Sequence, residues 1–183
     1  MRAMEVIETG QDRKVAALKS SFHVHIFLFF GGNMNCKYMD MAFDEAKKAF
    51  DLDEVPIGAV IVKDDHVISS AYNLKEHNQC CTSHAEILAI EQASKKLNNW
   101  RLDECDLYVT LDPCPMCASA IKQARFSNVY SALSNTDDSY SKFILSIFEK
   151  SDSNSSPVNF ESNLMMDKSK EILNNFFKKQ RNK

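Results

Sequence analysis

The fold is decided by residues 111–117, Leu-Asp-Pro-Cys-Pro-Met-Cys, which end a strand-like run at residues 106–111. Pro113 and Pro115 suit the start of a helix, because proline lacks the N–H group that would be unpaired there. Cys114 and Cys117 then lie on one face of the first helical turn. The free N–H groups and the positive end of the helix dipole lower a thiol pKa and favour the metal-binding thiolate. The stretch therefore predicts a strand-to-helix turn that carries two sulfur ligands.

A second polar segment, Thr-Ser-His-Ala-Glu at residues 82–86, lies about thirty residues upstream of the first. It also resembles a helix start, with Ser83 as the predicted N-cap. His84 and Glu86 add an imidazole and a carboxylate to the two thiols. A catalytic zinc site uses three protein ligands of these types and leaves its fourth position open for water. The two segments together hold the ligands and the acid/base group of such a site.

Plainer interpretations exist for each part of this pattern. Ser83 and Glu86 have the spacing of a capping box, in which Glu86 only pairs with a backbone N–H group. A lone Cys-x-x-Cys also occurs in redox pairs and in structural zinc knuckles. The conjunction of both segments at helix starts favours the catalytic site. We therefore predict one Zn²⁺ ion bound by His84, Cys114 and Cys117, with Glu86 as the catalytic acid/base residue.

The composition is that of an ordinary globular domain, with 183 residues, 44% apolar and 26% charged residues. A net charge of −3 does not indicate a nucleic-acid partner, so RNA binding would need a local basic patch. Six cysteines without a regular spacing favour a reducing compartment over a disulfide framework. We therefore expect a cytoplasmic protein.

Residues 1–33 show no coherent pattern and are predicted to be an N-terminal extension, disordered or not native, with Met34 or Met39 as the natural start. Their apolar run at residues 22–30 is too short to span a membrane. Residues 34–183 are predicted to form one domain. Its core occupies residues 38–136, and a helical C-terminal part occupies residues 137–183.

Hydrophobic periodicity predicts the elements of this domain. Helices are expected at residues 38–50, 84–97, 115–125, 142–150 and 167–180, and strands at 57–62, 67–72, 106–111, 128–133 and within 158–166, with a serine-rich loop at 151–157. Strands that alternate with helices after an opening hairpin imply an α/β fold, in which a mixed sheet lies between helices. Ligands of such sheets bind beyond the carboxyl ends of the strands, where both metal-binding helices begin.

Several segments resemble, in matching order, the bacterial tRNA-specific adenosine deaminases of the zinc-dependent cytidine and deoxycytidylate deaminase superfamily. They are residues 46–50, 54–62, 84–90, 99–102, 107–111 and 113–118. The motif His-x-Glu followed by Pro-Cys-x-x-Cys is shared across nucleobase deaminases. Asn-Trp-Arg-Leu at 99–102 and Phe-Phe-Lys-Lys at 176–179 point more specifically to the tRNA branch. The resemblance implies a three-layer α/β/α sandwich with a five-stranded mixed sheet, and a homodimer that binds a tRNA anticodon loop.

The resemblance also implies the reaction, which is hydrolysis of the wobble adenosine to inosine with Glu86 moving protons. It assigns Asn73 to the flipped nucleotide, and Phe177 and Lys178 to RNA contact. On their own, these residues favour plainer roles, such as a turn at Asn73 and a solubilising basic tail.

Three segments depart from the family pattern. Asp112 replaces a more frequent Glu, and Cys80-Cys81 replaces a more usual Asp-Pro before the histidine helix. Ser-Ala-Leu-Ser at residues 131–134 replaces Gly-Ala-Arg-Asp in a loop that positions RNA in the family.

Three classes of function remain open from the sequence. The first is the RNA-editing deaminase. The second is a deaminase of a free base or nucleoside such as guanine, cytosine or cytidine, which has no use for a basic, aromatic C-terminal helix. The third is a catalytically silent, zinc-stabilised RNA-binding module, which the free carboxylate of Glu86 disfavours.

Overall fold

The computed structural model describes residues 36–135, 137–150 and 156–183, which contain five helices and five strands. The predicted extension at 1–33 and most of the serine-rich loop lie outside these residues. The elements, in chain order, are α1 (36–51), β1 (Gly58–Lys63), β2 (His66–Tyr72), α2 (Ala85–Leu97), β3 (Cys105–Val109), α3 (Pro115–Ala124), β4 (Asn128–Ser131), α4 (Asp138–Glu149), β5 (Asn159–Glu161) and α5 (Met166–Arg181).

The strands form one mixed sheet in the order β2-β1-β3-β4-β5. Strand β1 is antiparallel to both β2 and β3, whereas β3, β4 and β5 run parallel to one another. The carboxyl ends of β2, β3 and β4 therefore meet the start of β1 at a single edge. The predicted five-stranded mixed sheet is confirmed.

Apolar side chains cover both faces of the sheet, as the alternation along β1 shows. Ala59 and Ile61 belong to a core cluster shared with α2, α3 and α4. Val60 and Val62 point the other way, into a cluster with α1 and with Ile172 of α5. Because each face is covered by helices, the predicted three-layer α/β/α sandwich is confirmed.

Helix α1 packs unusually close to β1, and Gly58 permits this approach. A Cβ atom at Gly58 would lie 2.0 Å from the carbonyl oxygen of Ala42 and 2.6 Å from the backbone nitrogen of Ala46. Both contacts are with backbone, which cannot rotate away. Glycine at this position therefore sets the distance between the helix and the strand.

Helix α4 begins at Asp138, so the predicted start at residue 142 is wrong. The carboxylate of Asp137 accepts hydrogen bonds from the backbone N–H groups of Ser139 and Tyr140, at 2.9 and 3.4 Å. This cap adds a polar first turn that apolar periodicity does not reveal.

The C-terminal part packs onto the edge of the sheet where the segments 82–86 and 111–117 lie. The Ser169 hydroxyl of α5 donates to the carbonyl oxygen of Thr110, just beyond β3, at 2.6 Å. Within the described residues, none of the helices combines the length and the apolar character that crossing a bilayer requires.

Candidate active site

The three predicted metal ligands converge at this edge of the sheet. His84 is the N-cap of α2 and Cys114 is the N-cap of α3, while Cys117 lies in the first turn of α3. The Nδ1 atom of His84 is 3.6 Å from the Sγ atom of each cysteine. All three ligand atoms lie within 4.8 Å of one another, and no other such group of three or more metal-ligating side chains occurs in the described residues.

These distances fit a tetrahedral zinc site. Zn–S bonds of about 2.3 Å and Zn–N bonds of about 2.0 Å, at the tetrahedral angle, separate sulfur from nitrogen by roughly 3.5 Å. The donor set of two thiols and an imidazole is also one that zinc prefers. The structure therefore brings together three side chains that the sequence separates by thirty residues or more, and zinc binding by them stays a prediction.

The two thiols differ in acidity. A hydrogen bond from the Cys117 side chain, with help from backbone N–H groups of the helix start, lowers the pKa of Cys114 to about 5. The pKa of Cys117 is raised, first by its bond to Cys114 and then by burial and the nearby Glu86. We expected the helix start to lower the pKa of both thiols. In the metal-free protein, only the pKa of Cys114 is lowered, because the two thiols share one proton in the hydrogen bond between them. A metal cation at this position would favour the loss of that proton.

Glu86 is buried beside the triad, with only 3% of its surface exposed. Its Oε2 atom is the one enclosed side-chain nitrogen or oxygen without a hydrogen-bond partner in the described part of the chain. Burial is the largest influence on its carboxyl group and raises its pKa to about 7. An unpartnered buried oxygen is costly, so its persistence here indicates a position kept for a ligand, water or proton.

The helix start at α2 differs from the prediction in one residue. His84, and not Ser83, is the N-cap, and no side chain caps this helix. Ser83 instead belongs to the preceding loop: its carbonyl oxygen accepts from the N–H group of Leu74, and its hydroxyl accepts from the amide of Asn78. The capping-box interpretation of Glu86 therefore fails.

Asn73 lies at the same edge, because the residue after it is hydrogen-bonded to Ser83, next to His84. Its side-chain amide nitrogen donates to Oε2 of Glu54 at 3.0 Å. The other oxygen of Glu54 accepts from the backbone N–H group of His77 at 2.6 Å. No role for Glu54 could be predicted from the sequence, because this contact joins residues that no local pattern connects.

Phe177 and Lys178 are exposed on α5. The Phe177 ring lies against Phe176, whose ring in turn contacts Phe50 of α1. In the part of the chain that the structure describes, no hydrogen bond, ion pair or ring contact joins either residue to the triad. The structure thus leaves both free to meet a partner at the surface, but does not bring them into the site.

Two further side chains, Asp112 and Tyr140, make hydrogen bonds that connect the segments around residues 112–117. Neither was predicted to have a role. The buried carboxylate of Asp112 accepts from the Ser162 hydroxyl at 2.8 Å and from the N–H group of Asn135 at 3.2 Å. Asp112 thereby ties the loop after β4 to the segment before α5. The Tyr140 hydroxyl of α4 donates to the carbonyl oxygen of Pro113 at 3.3 Å.

Comparison with known proteins gives consistent relatives. A family model described as MafB19-like deaminase matches residues 33–181. The tRNA-specific adenosine deaminase of Aquifex aeolicus is 40% identical over 148 residues, which cover 79% of this chain and 95% of that protein. The enzyme of the same description from Bacillus subtilis is 51% identical over 92 residues, and the chain spans only 57% of its length.

A solved structure from work on A-to-I editing by tRNA:A34 deaminases at the wobble position of transfer RNA has the same fold. It superposes with a TM-score of 0.68 at 37% sequence identity, and the match covers 75% of this chain and 99% of that one. With the family model matching most of the sequence and a 40% identical relative covered almost end to end, the chain belongs to the MafB19-like deaminase family, among the tRNA-specific adenosine deaminases.

Proposed function

We propose that this protein hydrolyses the wobble adenosine of a tRNA anticodon to inosine, releasing ammonia. The observation that carries the proposal is the convergence of His84, Cys114 and Cys117 beside a buried carboxyl group with an unpartnered oxygen. The relatives named above supply the substrate class, because both are described as tRNA-specific adenosine deaminases.

His84, Cys114 and Cys117 would hold one zinc ion. A zinc ion held by such ligands supplies a Lewis acid that makes a water molecule more acidic. Two thiolates offset part of the metal charge, so a neighbouring base is needed as well.

Glu86 is that base in the proposed reaction. Its carboxylate takes a proton from the attacking water and delivers it to N1 of the purine. It then moves the proton of the hydroxyl group now on C6 to the amino group, which leaves as ammonia while C6 becomes the carbonyl carbon of inosine. Burial raises the pKa of this carboxyl group towards neutrality in the metal-free chain, which favours a shuttle that both accepts and releases a proton near neutral pH. Burial keeps bulk water away from the carboxyl group.

Substrate binding is assigned to Asn73, at the same end of the sheet as the triad, and to Phe177 and Lys178 on α5. The exposure of the last two residues supports RNA contact at the surface, where a base can stack on an aromatic ring and a phosphate can pair with a lysine. An anticodon base is already unpaired, so its extrusion costs little beyond unstacking.

The remaining proposals concern assembly and context. Family membership supports a homodimer and a single deaminase domain over residues 34–183, which the family match at residues 33–181 nearly spans. The six cysteines are all free, which supports a reducing compartment such as the cytoplasm. Light scattering on the purified protein tests the dimer, because a monomeric mass would contradict it.

One experiment separates the three classes of function. Purified protein is incubated with an anticodon stem-loop RNA that carries wobble adenosine, and separately with guanine, cytosine and cytidine. Inosine in the RNA supports the proposal, whereas ammonia from a free base or nucleoside alone would contradict it. No product from any substrate, with zinc still bound, would indicate a silent module.

Glu86→Ala is the matched control for this experiment. We expect it to retain zinc, because the three ligands remain, and to lose roughly 10²–10⁴-fold in kcat, the usual contribution of a general acid/base group. Metal content by mass spectrometry and inosine by chromatography measure the two effects. Undiminished turnover would remove Glu86 from the mechanism.

A further inference from the structure

The side chain of Asn73 is held in one orientation by Glu54. Both residues are buried, with 5% and 1% of their surfaces exposed. The amide nitrogen of Asn73 donates to one carboxylate oxygen of Glu54, and the backbone N–H group of His77 occupies the other. A carboxylate only accepts hydrogen bonds, so the group that Asn73 turns towards it must be the NH₂ and not the carbonyl.

The Asn73 carbonyl oxygen is consequently the group left for another molecule. Among the described residues, none donates a hydrogen bond to this oxygen. Glu86 Oε2 is the one oxygen or nitrogen there that is both enclosed and unpartnered, so the Asn73 oxygen still reaches solvent. Asn73 lies at the edge of the sheet that holds the metal-binding triad, because the backbone of the next residue, Leu74, is hydrogen-bonded to Ser83 beside His84.

We propose that Glu54 is a positioning residue that fixes Asn73 as a hydrogen-bond acceptor, so that the site selects a substrate nucleotide offering an N–H or O–H donor at this point. The inference rests on the proposed function only in taking Asn73 to contact the substrate. Glu54 itself touches no substrate. Its role is to decide which end of the Asn73 amide is left for the substrate.

The polarity of this contact can be inverted by one atom. In Glu54→Gln, the side-chain oxygen must still face the N–H group of His77, which can only donate. The new NH₂ group then faces Asn73, whose amide has to turn over and present its own NH₂ to the substrate. We expect KM for the RNA to rise roughly 10–100-fold with a smaller change in kcat, because a donor then opposes a donor.

A second substitution should restore the acceptor. In the double variant Glu54→Gln with Asn73→Asp, the carboxylate at position 73 accepts from the NH₂ group of residue 54 and turns its other oxygen to the substrate. The negative charge has moved by one side chain but is conserved. We expect KM within about fivefold of wild type, although Asn73→Asp alone, with two carboxylates face to face, is impaired.

Steady-state kinetics on the four proteins decides the inference. Recovery in the double variant supports it, whereas a double variant no better than either single variant, or a Glu54→Gln protein with wild-type KM, would overturn it. If Glu54 had a purely structural role, the increases in KM from the two single substitutions would add up in the double variant. If the single variant Glu54→Gln does not fold, Asn73→Asp and the double variant can still be compared. The inference then requires that adding Glu54→Gln to Asn73→Asp lowers KM, and an unchanged or higher KM would overturn it.

Glu45→Gln is the matched control, because Glu45 is also a buried carboxylate and accepts from Ser70 at 2.8 Å, away from Asn73. Its KM should be unchanged. The kinetics are measured with whichever substrate the wild-type protein deaminates, RNA or free base. Wild-type activity on a free base alone would refute the proposed function while leaving the Glu54 inference to be decided by the same four proteins.

Discussion

Glu86 combines three properties that rarely occur together in one side chain: burial, an unpartnered oxygen and a position beside two thiols. Burial disfavours its charged form and raises its pKa from 4.5 to about 7 in the folded, metal-free chain. The unfolded chain gives up the same proton at the ordinary value. The difference makes stability depend on pH.

We predict that Glu86 makes the metal-free protein less stable as the pH rises from about 4.5 to about 7. In this window the folded chain keeps a proton that the unfolded chain has released, so the Glu86 contribution to the free energy of unfolding falls by roughly 3 kcal/mol. Cys114 acts in the opposite direction from about pH 5 upwards, because its lowered pKa lets the folded chain release a proton that the unfolded chain keeps. Urea unfolding of chelator-treated wild type and Glu86→Gln across this range isolates the Glu86 contribution as the difference between their slopes.

Glu86→Gln should remove this pH-dependent loss, because glutamine does not titrate. Glu91→Gln, an exposed position on the same helix, should leave it in place and serves as the control. An equal slope in wild type and Glu86→Gln would show that Glu86 is not held protonated by burial.

At the scale of elements, the register of α1 against β1 depends on the missing side chain at Gly58. We predict that Gly58→Ala destabilises the protein by at least about 3 kcal/mol, because its methyl group meets the backbone of α1 at 2.0 Å. Thermal unfolding measures the loss. The control Gln92→Ala, exposed on α2, should change little, and an unaffected Gly58→Ala protein would mean that α1 can shift away from the sheet.

The sequence was informative about elements whose signal is local. Apolar periodicity located the helices and strands to within a few residues, and proline and cysteine spacing located the start of α3. The ends of elements were less accurate where a polar side chain decides them. Helix α4 begins four residues earlier than predicted because Asp137 caps it. The N-cap of α2 is His84 and not Ser83, because Ser83 is hydrogen-bonded to Leu74 and Asn78 in the preceding loop.

The candidate site was predictable only in part, for the same reason. His84, Cys114 and Cys117 form a pattern of ligand types, which can be recognised before the fold is known. Two hydrogen bonds, between Asn73 and Glu54 and between Ser162 and Asp112, form where distant segments pack together. No residue spacing in the sequence predicts them. RNA contact by Phe177 and Lys178 stays a prediction.

At the scale of the whole molecule, a metal ion would join helices α2 and α3, which begin thirty residues apart in the sequence. Zinc should therefore bind the folded chain in preference to the unfolded one. At a free concentration of one hundred times Kd, we predict stabilisation of about 2.7 kcal/mol, which corresponds to a rise in Tm of roughly 5–10 °C for a chain of this size.

Calorimetry with and without added zinc measures this rise. Cys117→Ser should abolish it, because one of three ligands is lost, while Cys81→Ser, at an exposed cysteine outside the triad, should retain it. A zinc-dependent rise in Tm that survives Cys117→Ser would place the metal elsewhere.

X-ray absorption spectroscopy at the zinc edge tests the central claim most directly, since it counts the atoms bound to the metal. For the purified protein we predict two sulfur neighbours at about 2.3 Å and two lighter neighbours at about 2.0 Å, one from His84 and one from solvent. Four sulfur neighbours, or no bound zinc in an active protein, would contradict the account.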